Sequence, residues 1–496
     1  MKFTVARSVG IATYIVSLGA SSLAQSVPSG TNQPPNSDPR AGADSSAAQA
    51  SASVPQASPS PTQASQSTAT QGLPAPAVSA VTAQSAARPA GNVEAQATGP
   101  TAVLAEPGKA STKTDSAIAP TANGGSAQTA PPAPTSRVAI VPYGYVKLGT
   151  SYDSARTAYG DLAFFVLPGS AKGGGKGELV FSARETRVGL KLAAPTFNGI
   201  TPTGQIEADW FEEAATADKY ALRLRLAFLD LALGNGWSVR AGQDWDTFVL
   251  VHPTITDPGI LGGTGHLYGR RPQFRITKVV KVNETDAVFF KVAAAHGRSQ
   301  DVDADGQIDA EAARFPTIQA SLGFSAKLLG KKLTQLQVSG AYGREKLHLP
   351  VAKPIYDQTF ESWVAHAALV LPISDVFSLQ GTVFWGKNLD QYLGGILQGI
   401  NVTSVRSIES VGGWGQLVAE VLPTLTVTGG YGADNPKDAD IPAGGRVFNS
   451  RAFGNLFVKV TPETTVCLEY AYLRTLFASE GPEHGNRFAA GFQYSF

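Results

Sequence analysis

The chain has 496 residues, a formal net charge of +1 and 43% hydrophobic residues. A net charge so close to zero excludes the strongly basic surface that nucleic-acid binding requires. No apolar run reaches the roughly 18 residues of a membrane-spanning helix. The one cysteine, Cys467, cannot form an internal disulfide, and a small packed side chain is expected there.

Residues 1–24 have the pattern of a secretory signal peptide. Lys2 and Arg7 make the start basic, Val9 to Ala20 is apolar but too short to span a bilayer, and Ser22-Leu23-Ala24 provides small residues at a cleavage site. The protein is therefore predicted to leave the cytoplasm.

Residues 25–137 form a segment of Ala, Pro, Ser, Thr, Gln and Gly without any Phe, Trp or Tyr. Such a composition cannot bury enough apolar surface to offset its chain entropy, which predicts a disordered periplasmic linker. Two interpretations remain open: the linker contacts the cell wall, or it is a solvated spacer.

Residues 138–496 form the third segment and contain short runs with alternating polar and apolar residues, the period of a β-strand. The last run, Arg487–Phe496, has Phe488, Ala490, Phe492, Tyr494 and Phe496 on one face. Sixteen strands are predicted: Tyr143–Tyr152, Leu179–Leu192, Thr203–Phe211, Ala221–Leu231, Trp237–Trp245, Pro272–Lys281, Asp286–Ala294, Thr317–Ala326, Leu333–Arg344, Phe360–Val370, Val376–Trp385, Gly412–Val421, Thr424–Gly432, Ser450–Val460, Thr465–Leu473 and Arg487–Phe496.

The connections alternate between short turns and long loops. The long ones are Asp153–Glu178, Asp246–Arg271, His296–Phe315, Lys346–Thr359, Gly386–Val411, Asn435–Phe448 and Arg474–Asn486. Short turns on one rim and long loops on the other are typical of bacterial membrane barrels. The sequence therefore predicts an all-β fold, a transmembrane antiparallel β-barrel of about sixteen strands, rather than a sandwich or propeller.

Alternation places charged residues on one face of the early strands and apolar residues on the other. Charges face lipid only at high cost, so they are predicted to line the interior. The candidate pore-lining and substrate residues are Arg187, Glu207, Asp209, Arg223, Arg225, Arg240, Asp244, Arg271 and Arg275. Rows of opposite charge would orient a charged solute in a pore; alternatively, these charges only pair with one another and fill the wall.

The loop Asp246–Arg271 is rich in glycine and partly apolar. A loop of that composition is expected to fold inward and pack, and function concentrates in loops. We expect it to narrow the channel, with Arg240, Arg270, Arg271 and Arg275 near the constriction.

Residues 301–309, Asp-Val-Asp-Ala-Asp-Gly-Gln-Ile-Asp, resemble a calcium-binding loop. Carboxylates at alternate positions can converge on one hard cation, and the glycine permits the turn. The candidate ligands are Asp301, Asp303, Asp305, Gln307 and Asp309. Position 12 is Ala312 instead of a bidentate Glu, and no flanking helix is expected. Calcium binding and a solvated acidic loop both remain possible interpretations.

No catalytic group is recognisable. The six histidines, His252, His266, His296, His348, His366 and His484, are scattered, and none lies in a nucleophile motif. A barrel enzyme such as a lipase is therefore disfavoured, and no enzymatic activity is predicted.

Several segments resemble the DcaP-like porin family of trimeric outer-membrane channels. They are 183–189 (ARETRVG), 204–211 (GQIEADWF), 241–248 (AGQDWDTF), 271–275 (RPQFR) and Glu469-Tyr470, of which 241–248 is the most specific. The resemblance spans residues 139–496 and implies a sixteen-stranded homotrimer that admits small anionic solutes such as dicarboxylates.

The sequence thus predicts an outer-membrane porin for passive diffusion of small hydrophilic solutes through a charged eyelet narrowed by the third long loop. Its neighbours would be outer-membrane lipid and lipopolysaccharide, with the N-terminal segment in the periplasm, and no cofactor apart from calcium at residues 301–309. The alternative is a structural barrel that anchors the envelope through residues 25–137.

Overall fold

A computed structural model describes residues 137–171, 173–213, 220–299, 301–303, 307–349 and 356–496. The signal peptide predicted for residues 1–24 and the linker predicted for residues 25–137, except its last residue, lie outside the described residues. Asp305 of the predicted calcium loop also lies outside them.

The described residues are mostly β-strand. The strands are β1 (Ala139–Asp153), β2 (Glu178–Ser182), β3 (Arg187–Ala193), β4 (Thr201–Glu213), β5 (Tyr220–Gly234), β6 (Trp237–Trp245), β7 (Arg270–Lys281), β8 (Ala287–Ala295), β9 (Thr317–Ala326), β10 (Thr334–Leu349), β11 (Tyr356–Pro372), β12 (Phe377–Lys387), β13 (Ile400–Asn401), β14 (Arg406–Ser407), β15 (Glu409–Leu422), β16 (Leu425–Pro436), β17 (Arg446–Lys459), β18 (Thr464–Phe477) and β19 (Glu483–Ser495).

Helix is confined to short pieces. A four-residue helix, α1, spans Asp309–Ala312, and two 3₁₀ turns span Asp390–Tyr392 and Asp438–Asp440. The expectation of no helix beside the acidic loop is therefore wrong, because this single helical turn follows the loop. In it, the amide of Ala313 donates to the carbonyl of Asp309. None of the helical pieces in the described ranges has the length and apolarity to cross a membrane.

The sheet closes on itself between its first and last strands. β1 pairs antiparallel with β19, from Tyr145 opposite Ser495 to Asp153 opposite Arg487. The amide of Gly144 donates to the carbonyl of Phe496 at 3.1 Å, and the reverse bond measures 3.0 Å. Closure satisfies the backbone groups of both terminal strands, which an open edge in lipid could not do.

One predicted strand is interrupted. β2 and β3 both pair with β1 and together occupy one position in the barrel, so the barrel has sixteen positions, as predicted. The prediction of a continuous strand over Leu179–Leu192 is wrong at Ala183–Thr186, where the chain makes a turn. There the hydroxyl of Thr186 accepts from the amide of Lys147, and the ammonium of Lys147 pairs with Glu185.

The predicted faces are confirmed by exposure. On β7, Phe274 is 52% exposed and points outward, whereas Arg271 is 1% exposed. On β19, Phe488 and Phe492 are each 55% exposed, and Arg487 is 2% exposed. An apolar exterior around a charged interior is the arrangement of a barrel that faces lipid. Inward-facing Cys467 is a buried free thiol, as expected.

Several strands extend beyond their predicted ends. β10, β11, β17, β18 and β19 are longer than predicted, so three expected long loops shrink to residues 350–355, 437–445 and 478–482. Long connections remain at residues 154–177, 246–269, 296–316 and 388–408. The opposite rim carries short turns throughout, such as Asn235-Gly236 and Pro423-Thr424.

Replacing Phe274 by Arg is expected to destabilise the barrel in lipid. A cation on the lipid face costs about 2–4 kcal/mol at the bilayer midplane and less near the interfaces. Equilibrium unfolding in urea from lipid vesicles measures the effect, with Phe274→Leu as the apolar control. Equal stability of the two variants would contradict an outward, lipid-facing Phe274.

Candidate functional site

The loop of residues 246–269, called the third loop here, is folded into the barrel. Its backbone amides donate to inward-facing side chains of distant strands: Thr247 to Gln319 at 2.8 Å, Thr254 to Gln416 at 2.9 Å. The amide of Thr256 donates to Glu469 at 2.8 Å. Among the described residues, no hydrogen bond joins residues 247–268 to β3, β4 or β5. The loop is therefore bound to one half of the inner wall.

A buried ion network holds the tip of this loop. Asp257 Oδ2 lies 2.5 Å from a guanidinium nitrogen of Arg451, and Arg451 also pairs with Glu469. Arg487 lies 3.9 Å from Asp257 and 3.4 Å from Asp153. Burial alone would raise the pKa of Asp257, but the guanidinium of Arg451 holds this pKa below its usual value. Asp257 is therefore an anion that is compensated only in the docked loop.

Apolar contacts add to this attachment. Phe248 and Leu267 of the third loop are buried with Leu389 and Tyr392 of the loop 388–408. The rings of Phe248 and Tyr392 meet edge to face with centroids 5.2 Å apart. Gly265 has a φ of +98°, and a Cβ there would come within 2.1 Å of the carbonyl oxygen of Gly413. Only glycine allows the loop to approach the wall so closely.

Two histidines that the sequence analysis described as scattered form a buried pair in the third loop. Trp414 Nε1 donates to His266 Nδ1 at 3.0 Å, and His266 Nε2 lies 2.7 Å from His252 Nδ1. Because a neutral imidazole carries one proton, His266 holds it on Nε2 and donates it to His252. Burial holds the pKa of both His252 and His266 well below the ordinary 6.5. No periodicity in the sequence signals this pair.

Acidification is expected to weaken third-loop docking through this pair. The unfolded chain binds protons at both positions below pH 6.5 while the folded chain does not. The free energy of unfolding should therefore fall as the pH drops below 6.5, by up to about 1.4 kcal/mol per pH unit per histidine, and stay constant above it. Thermal unfolding against pH measures this. The variant H252Q/H266Q should show a weaker dependence, and H348Q, at an exposed histidine, should keep the full dependence.

The nine predicted pore-lining residues all lie on β3 to β7, opposite the wall that the third loop covers. The structure places all nine in ion pairs. Asp209 receives two hydrogen bonds from Arg223, at 2.9 and 2.8 Å, and one from Arg225 at 2.6 Å. Glu207 receives one from Arg225 at 2.7 Å and lies 3.6 Å from Arg187. Three guanidinium groups thus share two carboxylates.

A second set of ion pairs lies further along the same wall. Arg240 bridges Asp230 at 2.7 Å and Asp244 at 2.6 Å, and Asp244 also pairs with Arg275. Lys291, on the next strand, forms no ion pair with the described residues. This lysine was absent from the predicted site, although it follows the same inward alternation.

Arg271 and Arg270 differ in their surroundings. Arg271 is 1% exposed, with its Nε 2.7 Å from Asp246 and its Nη1 donating to Gln391 at 3.0 Å. Arg270 stacks its guanidinium 4.9 Å from the ring centre of Trp245. Its buried Nη1 has no hydrogen-bond partner among the described residues. Arg187, Arg223, Arg225 and Arg270 are called the arginine cluster below; they carry four positive charges against the two of Glu207 and Asp209.

The predicted calcium loop brings part of its ligand set together. One carboxylate oxygen each from Asp301, Asp303 and Asp309 lies within 4.8 Å of the others. Asp309 is 1% exposed and accepts from the amide of Val302 at 3.1 Å. Gln307 is described in the same loop, whereas Asp305 is outside the described residues.

Comparisons with known proteins give a match by fold and none by family model or curated sequence. No protein-family model matches the chain, and no curated protein matches it. Solved structures do match. The outer-membrane channel DcaP of Acinetobacter baumannii is 20% identical with a TM-score of 0.60, covering 73% of this chain and 99% of that one.

Two further matches are more distant. The anion-selective porin from Comamonas acidovorans is 13% identical with a TM-score of 0.47, covering 72% of this chain and all of that one. The trimer form of OmpT of Vibrio cholerae is 13% identical with a TM-score of 0.46, covering 73% and 100%. The similarity to DcaP agrees with the resemblance in the sequence, and this chain has the barrel fold of the DcaP channel.

Proposed function

We propose that the protein is an outer-membrane porin, a passive diffusion channel for small hydrophilic solutes that prefers anions. The arginine cluster carries this proposal. It sets four guanidinium groups against the carboxylates of Glu207 and Asp209, and Arg270 offers a buried N–H group without a partner among the described residues. Charge-assisted hydrogen bonds to a carboxylate would satisfy such donors.

The solute path runs between the third loop and the wall formed by β3 to β8. The loop's hydrogen bonds to the opposite wall support this placement, because they attach the loop there. The eyelet is then bounded by the docked loop on one side and by the nine predicted residues on the other. Side chains that are partly exposed there, such as Arg223 and Arg240, with 32% and 25% of their side chains exposed, are available to the solute.

The substrates we propose are dicarboxylates such as succinate, since each of their two carboxylates could accept hydrogen bonds from a guanidinium group of the arginine cluster. The fold by itself does not determine which solute the channel admits. The protein acts as a homotrimer surrounded by lipid and lipopolysaccharide, with its N-terminal segment in the periplasm. Support for the trimer comes from the resemblance to DcaP-like porins.

Planar-bilayer recording of the purified protein tests the channel and its preference. Under a salt gradient, the reversal potential should have the sign of anion permeation, three conductance steps should appear together, and succinate should reduce the current. A folded protein without conductance would refute the porin. A reversal potential at zero, with currents insensitive to succinate, would leave a porin but refute the anion preference.

We also propose calcium as a ligand of residues 301–309. The proximity of three carboxylates within 4.8 Å supports it, because calcium accepts several carboxylate oxygens in irregular geometry. Isothermal titration calorimetry with millimolar calcium tests it. D301N/D303N should bind one calcium ion fewer per chain than the unchanged protein, and equal calcium stoichiometry in the two proteins would refute the site.

A further inference from the structure

A second group of polar side chains lies buried where the loop 388–408 leaves the barrel and meets β10. Asn388 is 0% exposed and Glu345 is 1% exposed. Asp390 begins the 3₁₀ turn that follows Asn388. Asp301 and Asp303 of the acidic loop are not part of this group, although Asp309 of that loop lies near Glu345.

Three oxygen atoms of this group are buried without a hydrogen-bond partner among the described residues: Glu345 Oε1, Asn388 Oδ1 and Asp390 Oδ1. Two of them face the same small space, because a Cβ on Gly399 would lie 2.2 Å from both Asn388 Oδ1 and Asp390 Oδ1. Glycine at this position keeps the space open. Buried polar atoms are rarely left without partners, and each exception calls for an explanation.

The charge of the group is not balanced by the protein. Neither Glu345 nor Asp390 forms an ion pair with a described residue. The nearby cation Arg271 is bound to Asp246, with Nε and Oδ1 2.7 Å apart, and to Gln391. Burial raises the pKa of Asp390 to about 6. An uncompensated buried carboxylate is costly unless it coordinates a metal or takes up a proton.

We propose that Glu345, Asn388 and Asp390 bind a divalent cation, with calcium as the fitting ion. The donor set consists of oxygen only, two carboxylates and one amide, which suits hard cations and not zinc or copper. Calcium tolerates irregular coordination and completes its shell with water and backbone carbonyls. The amide of Asn388 adds a ligand without adding a third negative charge.

The site connects a barrel strand to the element that supports the third loop. Leu389 and Tyr392 flank the proposed ligand Asp390 and are buried against Phe248 and Leu267. The carbonyl of Tyr392 accepts from the amide of Tyr268 at 3.1 Å. A cation that fixes the turn 390–392 to β10 would therefore also fix the third loop. This inference does not depend on which solute the barrel admits.

Calcium titration calorimetry of the full chain refolded in detergent tests the site. The variant D301N/D303N removes the acidic loop and should still bind one calcium ion per chain. Adding E345Q/D390N should abolish that remaining binding, and N388D should strengthen it because it adds a charge. Thermal unfolding should shift upward with calcium relative to EDTA in D301N/D303N and not in the fourfold variant.

Two results would overturn the proposal. One is unchanged calcium stoichiometry after E345Q/D390N. The other is a D301N/D303N protein whose thermal unfolding temperature is the same in calcium and in EDTA. Because N388D keeps Glu345, Asp390 and an oxygen ligand at position 388, its response distinguishes ligand loss from misfolding of the double carboxylate variant.

Discussion

Replacing Asp257 by Asn is expected to release the tip of the third loop and to produce the largest stability loss among single changes. Asn cannot form the ion pair that joins the loop tip to Arg451, which lies 2.5 Å from Asp257 and is 1% exposed. Removing one partner of a buried ion pair costs about 3–5 kcal/mol. Arg451 keeps Glu469 and Arg487 keeps Asp153, but both of these carboxylates belong to the barrel wall, so neither holds the loop tip through an ion pair. Single-channel conductance should therefore increase while thermal stability falls.

Asp440→Asn is the matched control for this change. Asp440 also lies in a loop and pairs with an arginine, Arg406, at 3.1 Å. The Arg406 side chain is 53% exposed, so solvent can compensate it, and such pairs contribute about 0–1 kcal/mol. Equal effects of D257N and D440N on conductance would show that the Asp257 network does not hold the constriction.

Replacing Arg270 by Glu is expected to abolish the anion preference of the channel. The change removes one positive and adds one negative charge, so the arginine cluster with Glu207 and Asp209 goes from a net charge of +2 to zero. Inside a barrel, where screening is weak, one unit charge at 4 Å contributes about 4 kcal/mol at an effective dielectric constant of 20. The reversal potential under a salt gradient should move towards cation permeation, and succinate block should disappear.

Lys278→Glu supplies the control for Arg270. This variant changes the charge by the same amount on the same strand, but Lys278 is partly exposed and donates to the carbonyl of Asn235 at the short-turn rim. Its effect should be screened by salt. A reversal potential unchanged in R270E, or shifted equally in both variants, would place the selective charge elsewhere in the barrel.

The sequence predicted the strands well because alternation is a local signal. Trp237–Trp245 and Thr317–Ala326 match the structure at both ends. The exposed Phe274 beside the buried Arg271 follows directly from a period of two. Strand ends that project beyond the apolar band lack the alternation between apolar and polar residues. For this reason β10 and β18 were predicted too short.

What the sequence did not predict depends on contacts between distant segments. His252 meets Trp414 through His266, and Glu345 lies beside Asn388, although no local pattern connects these residues. The turn at Ala183–Thr186 is not signalled by alternation either, since Glu185 fits an inward strand position but pairs with Lys147 outside any strand. The predicted charges were located correctly by face, but their pairing needed the register.

The attachment of the third loop also has a consequence for the order of folding. Thr256 bonds to Glu469, which follows it by 213 residues, and barrel closure joins β1 to β19. Contacts so far apart in the chain form slowly, because the entropy of closing the intervening segment comes first. The third loop therefore reaches its final position only after β15 to β18 are in place. Until then, ions could pass through the incomplete barrel wall. Completing the last strands therefore closes the wall and also fixes the third loop inside the barrel.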